Sequence, residues 1–185
     1  MHNSTKGPID QVLYAGAEVV APWFHKQGFS PNDVTTMSFV SGILSLFELS
    51  KGRFFNFAAL YTLSYAFDCL DGFIARTYNL TSTFGDLYDH VTDVLVHVGL
   101  LFVIWKYYKP QITASMVLIY MGFMVLTATH LGCQQRNCAP SNKTESLDNL
   151  KFLCPNKRAI KRTRWFGTGS FNLVVLLLVW SIVHK

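Results

Sequence analysis

The sequence predicts an all-α fold: a polytopic membrane helical bundle with about five transmembrane helices and an N-terminal amphipathic helix at the membrane interface. Half of the 185 residues are hydrophobic and only 15% are charged, against about 25% charged residues in a typical soluble domain. Residues 110–135 contain no Asp, Glu, Lys or Arg, and neither do residues 165–184. Because a membrane-spanning helix needs about 20 apolar residues, both segments are long enough to cross a bilayer.

The first predicted helix covers residues 9–24, where apolar and small residues are mixed with Asp10 and Glu18. This pattern is typical of a helix that lies in the membrane interface. The tract 28–33 contains Gly, Ser, Pro, Asn and Asp, which end this helix and supply N-cap residues for the next one. Beyond it, apolar runs predict five spans, at 34–50, 54–76, 86–108, 112–133 and 165–184. We interpret residues 1–185 as a single membrane domain with a polar, basic loop at 134–164.

Basic residues are divided unequally between the two sides that five spans define. One side holds eleven Lys and Arg residues and the other holds five. Cytoplasmic loops carry the excess of positive charge in membrane proteins. The richer side, which includes the loops 77–85 and 134–164, is therefore expected to face the cytoplasm. The net charge of +5 indicates this topology and contact with anionic headgroups or phosphorylated substrates, rather than a nucleic-acid partner.

The four cysteines are expected to be free thiols, since disulfides are rare in a membrane and cytosolic setting. They are Cys69, Cys133, Cys138 and Cys154.

Four aspartates are concentrated in residues 68–93. Asp68 and Asp71 are three residues apart and share one face of the second span. Asp89 and Asp93 are four apart and share one face of the third. The short loop between these spans predicts antiparallel packing, so the four carboxylates should converge at one depth inside the membrane boundary. Neighbouring anions in a low-dielectric environment repel one another strongly, so their negative charge must be compensated.

Divalent cations supply that compensation. Carboxylate oxygens suit Mg²⁺ or Mn²⁺, and four of them can hold two ions, an arrangement used in phosphoryl chemistry. Gly72 and Ala75 keep one helix face thin, so that a nucleotide or pyrophosphate can approach the backbone. Arg76 is placed to pair with a phosphate, and Ser82 can supply a hydroxyl from the loop. The alternative, acids that pair with lysines or line an ion path, is disfavoured because the stretch 68–93 contains no lysine.

The same stretch resembles the signature of the CDP-alcohol phosphatidyltransferase family, D-x2-D-G-x2-A-R-x8-G-x3-D-x3-D, with every spacer at the same length. The signature positions are filled by Asp68, Asp71, Gly72, Ala75, Arg76, Gly85, Asp89 and Asp93. The resemblance implies an integral membrane enzyme, usually a homodimer, with its active site at the cytoplasmic face. Such enzymes move a phosphatidyl group from CDP-diacylglycerol to a small alcohol and release CMP.

The resemblance also implies roles for single residues. Asp68, Asp71 and Asp89 would bind two Mg²⁺ or Mn²⁺ ions, and Asp93 would bind a metal and act as the base on the attacking hydroxyl. Three residues would contact the nucleotide: Gly72, Arg76 and Ser82. The segment 30–35 resembles the family's T-P-N/D-x-x-T turn, which adds four candidate nucleotide-binding residues: Asn32, Asp33, Val34 and Thr35.

Several alternatives remain open from the sequence. Inositol is the favoured candidate for the acceptor, and glycerol 3-phosphate and serine are the other candidates. A CDP-choline or CDP-ethanolamine phosphotransferase that acts on diacylglycerol is the alternative reaction. A homologue that binds metal and nucleotide without turnover is the alternative function, because the family usually has six spans. His97 either orients Asp93 or is simply packed in its helix, and the basic run 151–164 either anchors the chain at the membrane or completes a phosphate pocket.

Overall fold

The computed structural model describes residues 6–137 and 147–185, and within these ranges it is helical without a β-strand. Five long helices come first, followed by short 3₁₀ and α-helical turns and a last helix. The order is α1 (Pro8–Lys26), α2 (Pro31–Ser50), α3 (Phe54–Thr77), α4 (Thr83–Tyr108), α5 (Ala114–Asn137), α6 (Ile160–Thr163) and α7 (Thr168–Val183). The all-α prediction is therefore confirmed for the described part of the chain.

The helices that carry the candidate site residues begin at local sequence signals. Ser30 caps α2, because its side-chain oxygen accepts a hydrogen bond from the Asp33 amide while the Asp33 carboxylate accepts one from the Ser30 amide. Ser82 caps α4 by accepting a hydrogen bond from the amide of Gly85 at 3.0 Å. Between α1 and α2, Gly28 adopts a φ of 83°, which a side chain would disfavour.

A serine-rich face of α2 lets it pack closely against α3 and α4. Ser38 and Ser64 each donate to the other's backbone carbonyl, at 2.8 and 2.9 Å. A Cβ at Gly42 would come within 2.7 Å of Val96 on α4. Close packing at both contacts fixes the α3–α4 hairpin relative to α2, and this hairpin carries the four aspartates.

Two apolar clusters complete the core of the described residues. The larger one joins α2, α3, α4 and α7 through side chains that include Leu49, Phe57, Leu100 and Val179. The smaller one joins α1 to the start of α2 and the end of α3. The helix predicted to lie in the interface is thus packed against the bundle near the end of α3.

Three segments of the described chain are long and apolar enough to cross a membrane. They are Thr83–Gln111, Ala114–Asn137 and Lys157–Val183. α2 and α3, which were also predicted as spans, are not among them. Their serines, threonines and aspartates reduce their apolar character, so the total of five spans stays a prediction.

The expectation of free thiols is wrong for two of the cysteines. Cys133 on α5 forms a disulfide with Cys154, whose Cα atom lies 4.9 Å away. The segment before Cys154 folds onto α5, where Arg136 donates to the Cys154 carbonyl at 2.6 Å and Gly132 leaves room for the Leu150 backbone. The two cysteines are 21 positions apart in the chain, so only the tertiary fold brings them together. Cys69 is a buried free thiol, and Cys138 lies outside the described residues.

Candidate active site

A cavity of about 590 Å³ opens beside the α3–α4 hairpin. α1, the first turn of α2, the end of α5 and the start of α7 complete its walls. All four aspartates of the signature line it. Five of the predicted nucleotide-binding residues line it as well: Asn32, Thr35, Gly72, Arg76 and Ser82.

Three of the aspartates form one compact group. Asp68, Asp71 and Asp89 each offer a carboxylate oxygen, and these oxygens lie within 4.8 Å of one another. Asp71 is buried, and the other two are half-buried. The antiparallel hairpin predicted from the short loop produces this convergence, since α3 supplies two acids from adjacent turns and α4 supplies the third. Asp93 lies one turn further along α4 and lines the same cavity, outside this group of three.

The donor set of this group fits a divalent cation. Among the described residues, no lysine or arginine lies within ion-pair distance of the three carboxylates. The ring of His90 is the neighbouring group that can carry a positive charge, with its Nδ1 3.8 Å from Oδ2 of Asp89. One such ring does not balance three close carboxylates, which need a bound ion or a proton to offset their repulsion. Carboxylate oxygens are the ligands that Mg²⁺ and Mn²⁺ prefer.

Thr35 orients one of the three acids. Its hydroxyl donates a hydrogen bond to Oδ2 of Asp71 at 2.6 Å, and both residues are buried. Hydrogen bonds to metal-binding carboxylates fix their orientation. The sequence suggested Thr35 as a nucleotide contact, whereas the structure places its hydroxyl on the carboxylate of Asp71.

Arg76 lies across Gly72 at the cavity wall. A Cβ on Gly72 would come within 2.7 Å of Nη2 of Arg76, so a larger residue here would displace the guanidinium from this position. The same nitrogen donates to the hydroxyl of Tyr14 on α1 at 2.6 Å. The small residue at position 72 therefore makes room for the arginine, in addition to keeping the helix face thin as the sequence indicated.

The family assignment follows from a comparison with known families. The model of the CDP-alcohol phosphatidyltransferase family matches residues 29–182. The chain belongs to this family. This confirms the resemblance that was drawn from the signature, and it extends the match over all but the N-terminal helix and the last residues.

Two curated relatives narrow the resemblance within the family. Over 92 residues, the chain is 32% identical to a probable CDP-diacylglycerol–inositol 3-phosphatidyltransferase 2 of Arabidopsis thaliana, a match that covers 50% of this chain and 38% of the relative. Over 56 residues, it is 39% identical to CDP-diacylglycerol–inositol 3-phosphatidyltransferase 1 of the same plant, covering 30% of this chain and 25% of that relative. The matches thus span well under half of either curated relative. No solved structure matches the chain significantly.

The remaining predicted site residues of this family member divide into two groups. Asn32 and Ser82 lie at the cavity, where a Cβ on Gly85 would come within 3.0 Å of both side chains. Asp33 is exposed and caps α2, and Val34 is fully buried in the apolar cluster beneath α1. Neither of these last two lines the cavity, so their nucleotide contacts stay predictions.

The sequence did not reveal the role of Asp10. This buried residue of α1 accepts hydrogen bonds from the Tyr65 hydroxyl at 2.5 Å and from the Gly169 amide at 2.7 Å. It therefore ties α1 to α3 and to the first turn of α7 at the edge of the cavity. The sequence feature that accompanies this contact is the pair of glycines at 167 and 169, because a Cβ at either position would meet the Asp10 carboxylate. Asp10 is about 160 residues away from them in the chain, so the sequence alone did not connect the glycines with this aspartate.

Two weaker hypotheses are also answered by the geometry. Nδ1 of His97 lies 2.9 Å from the backbone carbonyl of Asp93, not from its carboxylate, and the ring stacks on Phe171. His97 is therefore a packed helix residue. The exposed cations of the basic run, Lys157, Arg158, Lys161 and Arg162, do not line the cavity. Their position favours a membrane anchor over a phosphate pocket.

Proposed function

We propose that this protein transfers a phosphatidyl group from CDP-diacylglycerol to inositol and releases CMP. The group of three aspartates in the cavity is the observation that carries this proposal, because a cluster of hard oxygen ligands suits a reaction at a pyrophosphate. Membership of the family supports the reaction type. The names of the two Arabidopsis relatives support inositol as the acceptor.

In this proposal, Asp68, Asp71 and Asp89 hold two Mg²⁺ or Mn²⁺ ions, with Asp93 as a further ligand. The ions would neutralise the donor pyrophosphate and stabilise charge on the departing CMP. Thr35 keeps the Asp71 carboxylate in one orientation by the hydrogen bond at 2.6 Å. Arg76, which lies over Gly72, donates to a phosphate oxygen of the donor, and Asn32 and Ser82, which also line the cavity, contact the nucleotide.

Asp93 is the proposed general base. Its carboxylate takes the proton of the acceptor hydroxyl, and the hydroxyl oxygen forms a bond to the phosphorus that carries diacylglycerol. The bond between that phosphorus and the bridging oxygen breaks, and this oxygen leaves with CMP. Asp93 then releases its proton to water. General base catalysis contributes about 10²–10⁴-fold in rate, and the position of Asp93 in the cavity wall, one turn from Asp89, leaves it accessible to an acceptor.

The wider setting is also part of the proposal. We place the protein in the membrane as a multi-pass homodimer, with the cavity open to the cytoplasm. The apolar segments of α4, α5 and α7 support a membrane location. The excess of basic residues near the cavity end supports the orientation.

The test is a parallel acceptor assay with the purified protein. CDP-diacylglycerol and Mn²⁺ are supplied together with labelled inositol, glycerol 3-phosphate or serine, and a separate reaction contains CDP-choline with diacylglycerol. We expect inositol label in lipid, with one CMP released per lipid formed. Asp89→Asn should abolish both signals, whereas Glu18→Gln, on the exposed face of α1, should not. Label from CDP-choline alone, or no CMP from any acceptor, would contradict the proposal.

A further inference from the structure

Two cationic side chains lie against one tyrosine in the cavity wall. Nζ of Lys6 lies 2.9 Å from the centre of the Tyr14 ring. Arg76 approaches the same residue from α3 and donates to its hydroxyl at 2.6 Å. All three side chains line the cavity. Tyr14 therefore holds two cationic side chains at the wall of the cavity.

These charges lack anionic partners within the described chain. No carboxylate of the described residues lies within ion-pair distance of Lys6 or Arg76. Asp10 is the buried acid of α1, and its Oδ1 accepts hydrogen bonds from the Tyr65 hydroxyl and the Gly169 amide. Burial and the charge of Arg76 lower the pKa of Lys6 to about 8. Two partly buried like charges repel each other, and a bound anion relieves that repulsion.

The position of Lys6 is set by the fold. Its backbone carbonyl accepts a hydrogen bond from Nε2 of Gln11 at 3.0 Å. The buried Asp10 fixes the first turn of α1 against α3 and α7. Because these contacts hold the start of α1 over the cavity, the Lys6 ammonium group is presented to a ligand without a rearrangement of the bundle.

We propose that Lys6, Tyr14 and Arg76 form a phosphate-binding site, in which Lys6, two residues before the start of α1, contributes a specificity-determining lysine to the cavity. Arginine binds phosphate through directed N–H groups and lysine acts as a point charge, so the pair suits a phosphate group between them. The site itself follows from the geometry, and only the source of the phosphate rests on the proposed function. With inositol as the acceptor, that source is the pyrophosphate of the CDP-linked donor. A phosphate carried by the acceptor alcohol is the other source, and it would replace inositol by a phosphorylated acceptor such as glycerol 3-phosphate.

Equilibrium binding to the purified full chain distinguishes these sources. CDP, CMP, glycerol 3-phosphate and inositol are titrated by calorimetry into the wild type, Lys6→Met, Lys6→Arg and the control Lys161→Met, an exposed lysine away from the cavity. We expect Lys6→Met to weaken CDP or glycerol 3-phosphate binding about 10-fold or more, while inositol binding is unchanged. Lys6→Arg should retain most of the affinity. A loss confined to CDP assigns the site to the donor, and a loss confined to glycerol 3-phosphate assigns it to the acceptor.

A labelling experiment on the wild type covers the case in which Lys6→Met fails to fold. Acetylation of Lys6 is followed by mass spectrometry, and we expect the phosphate ligand to slow it while Lys161 is unaffected. Unchanged affinity of Lys6→Met for both phosphate ligands, or equal acetylation of Lys6 with and without them, overturns the site. Neither readout requires turnover, so an inactive wild type would refute the proposed reaction and leave this test valid.

Discussion

Thr35→Val tests whether the hydrogen bond on Asp71 controls the metal site. The substitution keeps the shape of the side chain and removes the hydroxyl that donates to Oδ2 of Asp71 at 2.6 Å. A hydrogen bond to a charged group contributes about 1.5–3 kcal/mol, and partners of metal-binding residues typically contribute 10–100-fold to metal affinity. We therefore expect Mn²⁺ to bind roughly 10–100-fold more weakly to Thr35→Val.

The assay is a Mn²⁺ titration of the purified protein followed by electron paramagnetic resonance. Thr35→Ser keeps a hydroxyl and should bind close to wild-type strength. Ser38→Ala is the matched control, because Ser38 lies one turn further on α2, is similarly buried, and donates at 2.8 Å to a backbone carbonyl instead of a carboxylate. Wild-type Mn²⁺ affinity in Thr35→Val, or an equal loss in Ser38→Ala, would refute the reasoning.

Three further predictions concern the base, the disulfide and the N-terminal lysine. Asp93→Asn should lower CMP release by roughly 10²–10⁴-fold with an unchanged melting temperature, and near-wild-type turnover would exclude Asp93 as the base. The Cys133–Cys154 disulfide closes a loop of 21 residues and should stabilise the fold by about 3 kcal/mol. Cys133→Ser should therefore unfold at a lower temperature than the oxidised wild type, and a reductant should remove that difference. Equal melting temperatures under oxidising conditions would count against the disulfide. The pKa of Lys6 is lowered from 10.5 to about 8, so the unfolded chain binds more protons between these values and stability rises with pH across that window. Lys6→Met should lack this contribution to the pH dependence of stability when melting temperatures are compared at pH values on either side of the folded-state pKa. If the melting temperatures of the two proteins change equally with pH, the burial of this amine is contradicted.

The site was largely predictable because its residues are close in the chain. The i, i+3 and i, i+4 spacings placed each pair of aspartates on one helix face, and the short loop brought the two faces together. Helix geometry and the short loop predicted that all four carboxylates converge, and the structure brings Asp68, Asp71 and Asp89 into one group. Asp93 shares the face and the cavity, but its position one turn further on leaves it outside the group, a distinction that spacing does not resolve.

What the sequence could not show depends on contacts between distant segments. The bond of Asp10 to Gly169 and the Cys133–Cys154 disulfide both require the packed bundle. The hydrogen bond from Thr35 to Asp71 belongs to the same class, since the two residues are 36 positions apart. The prediction of free cysteines failed because it relied on compartment alone, and tertiary packing decides whether two thiols can meet.

The most direct test of the account is whether the aspartate group binds a divalent ion. Mn²⁺ binding to the wild type is compared by electron paramagnetic resonance with binding to Asp68→Asn, Asp71→Asn and Asp89→Asn, with Glu18→Gln as the control. The account predicts tight binding in the wild type and the control, and a large loss in each of the three variants. Wild-type protein that binds no Mn²⁺, or variants that bind it as well as the wild type, would contradict the account.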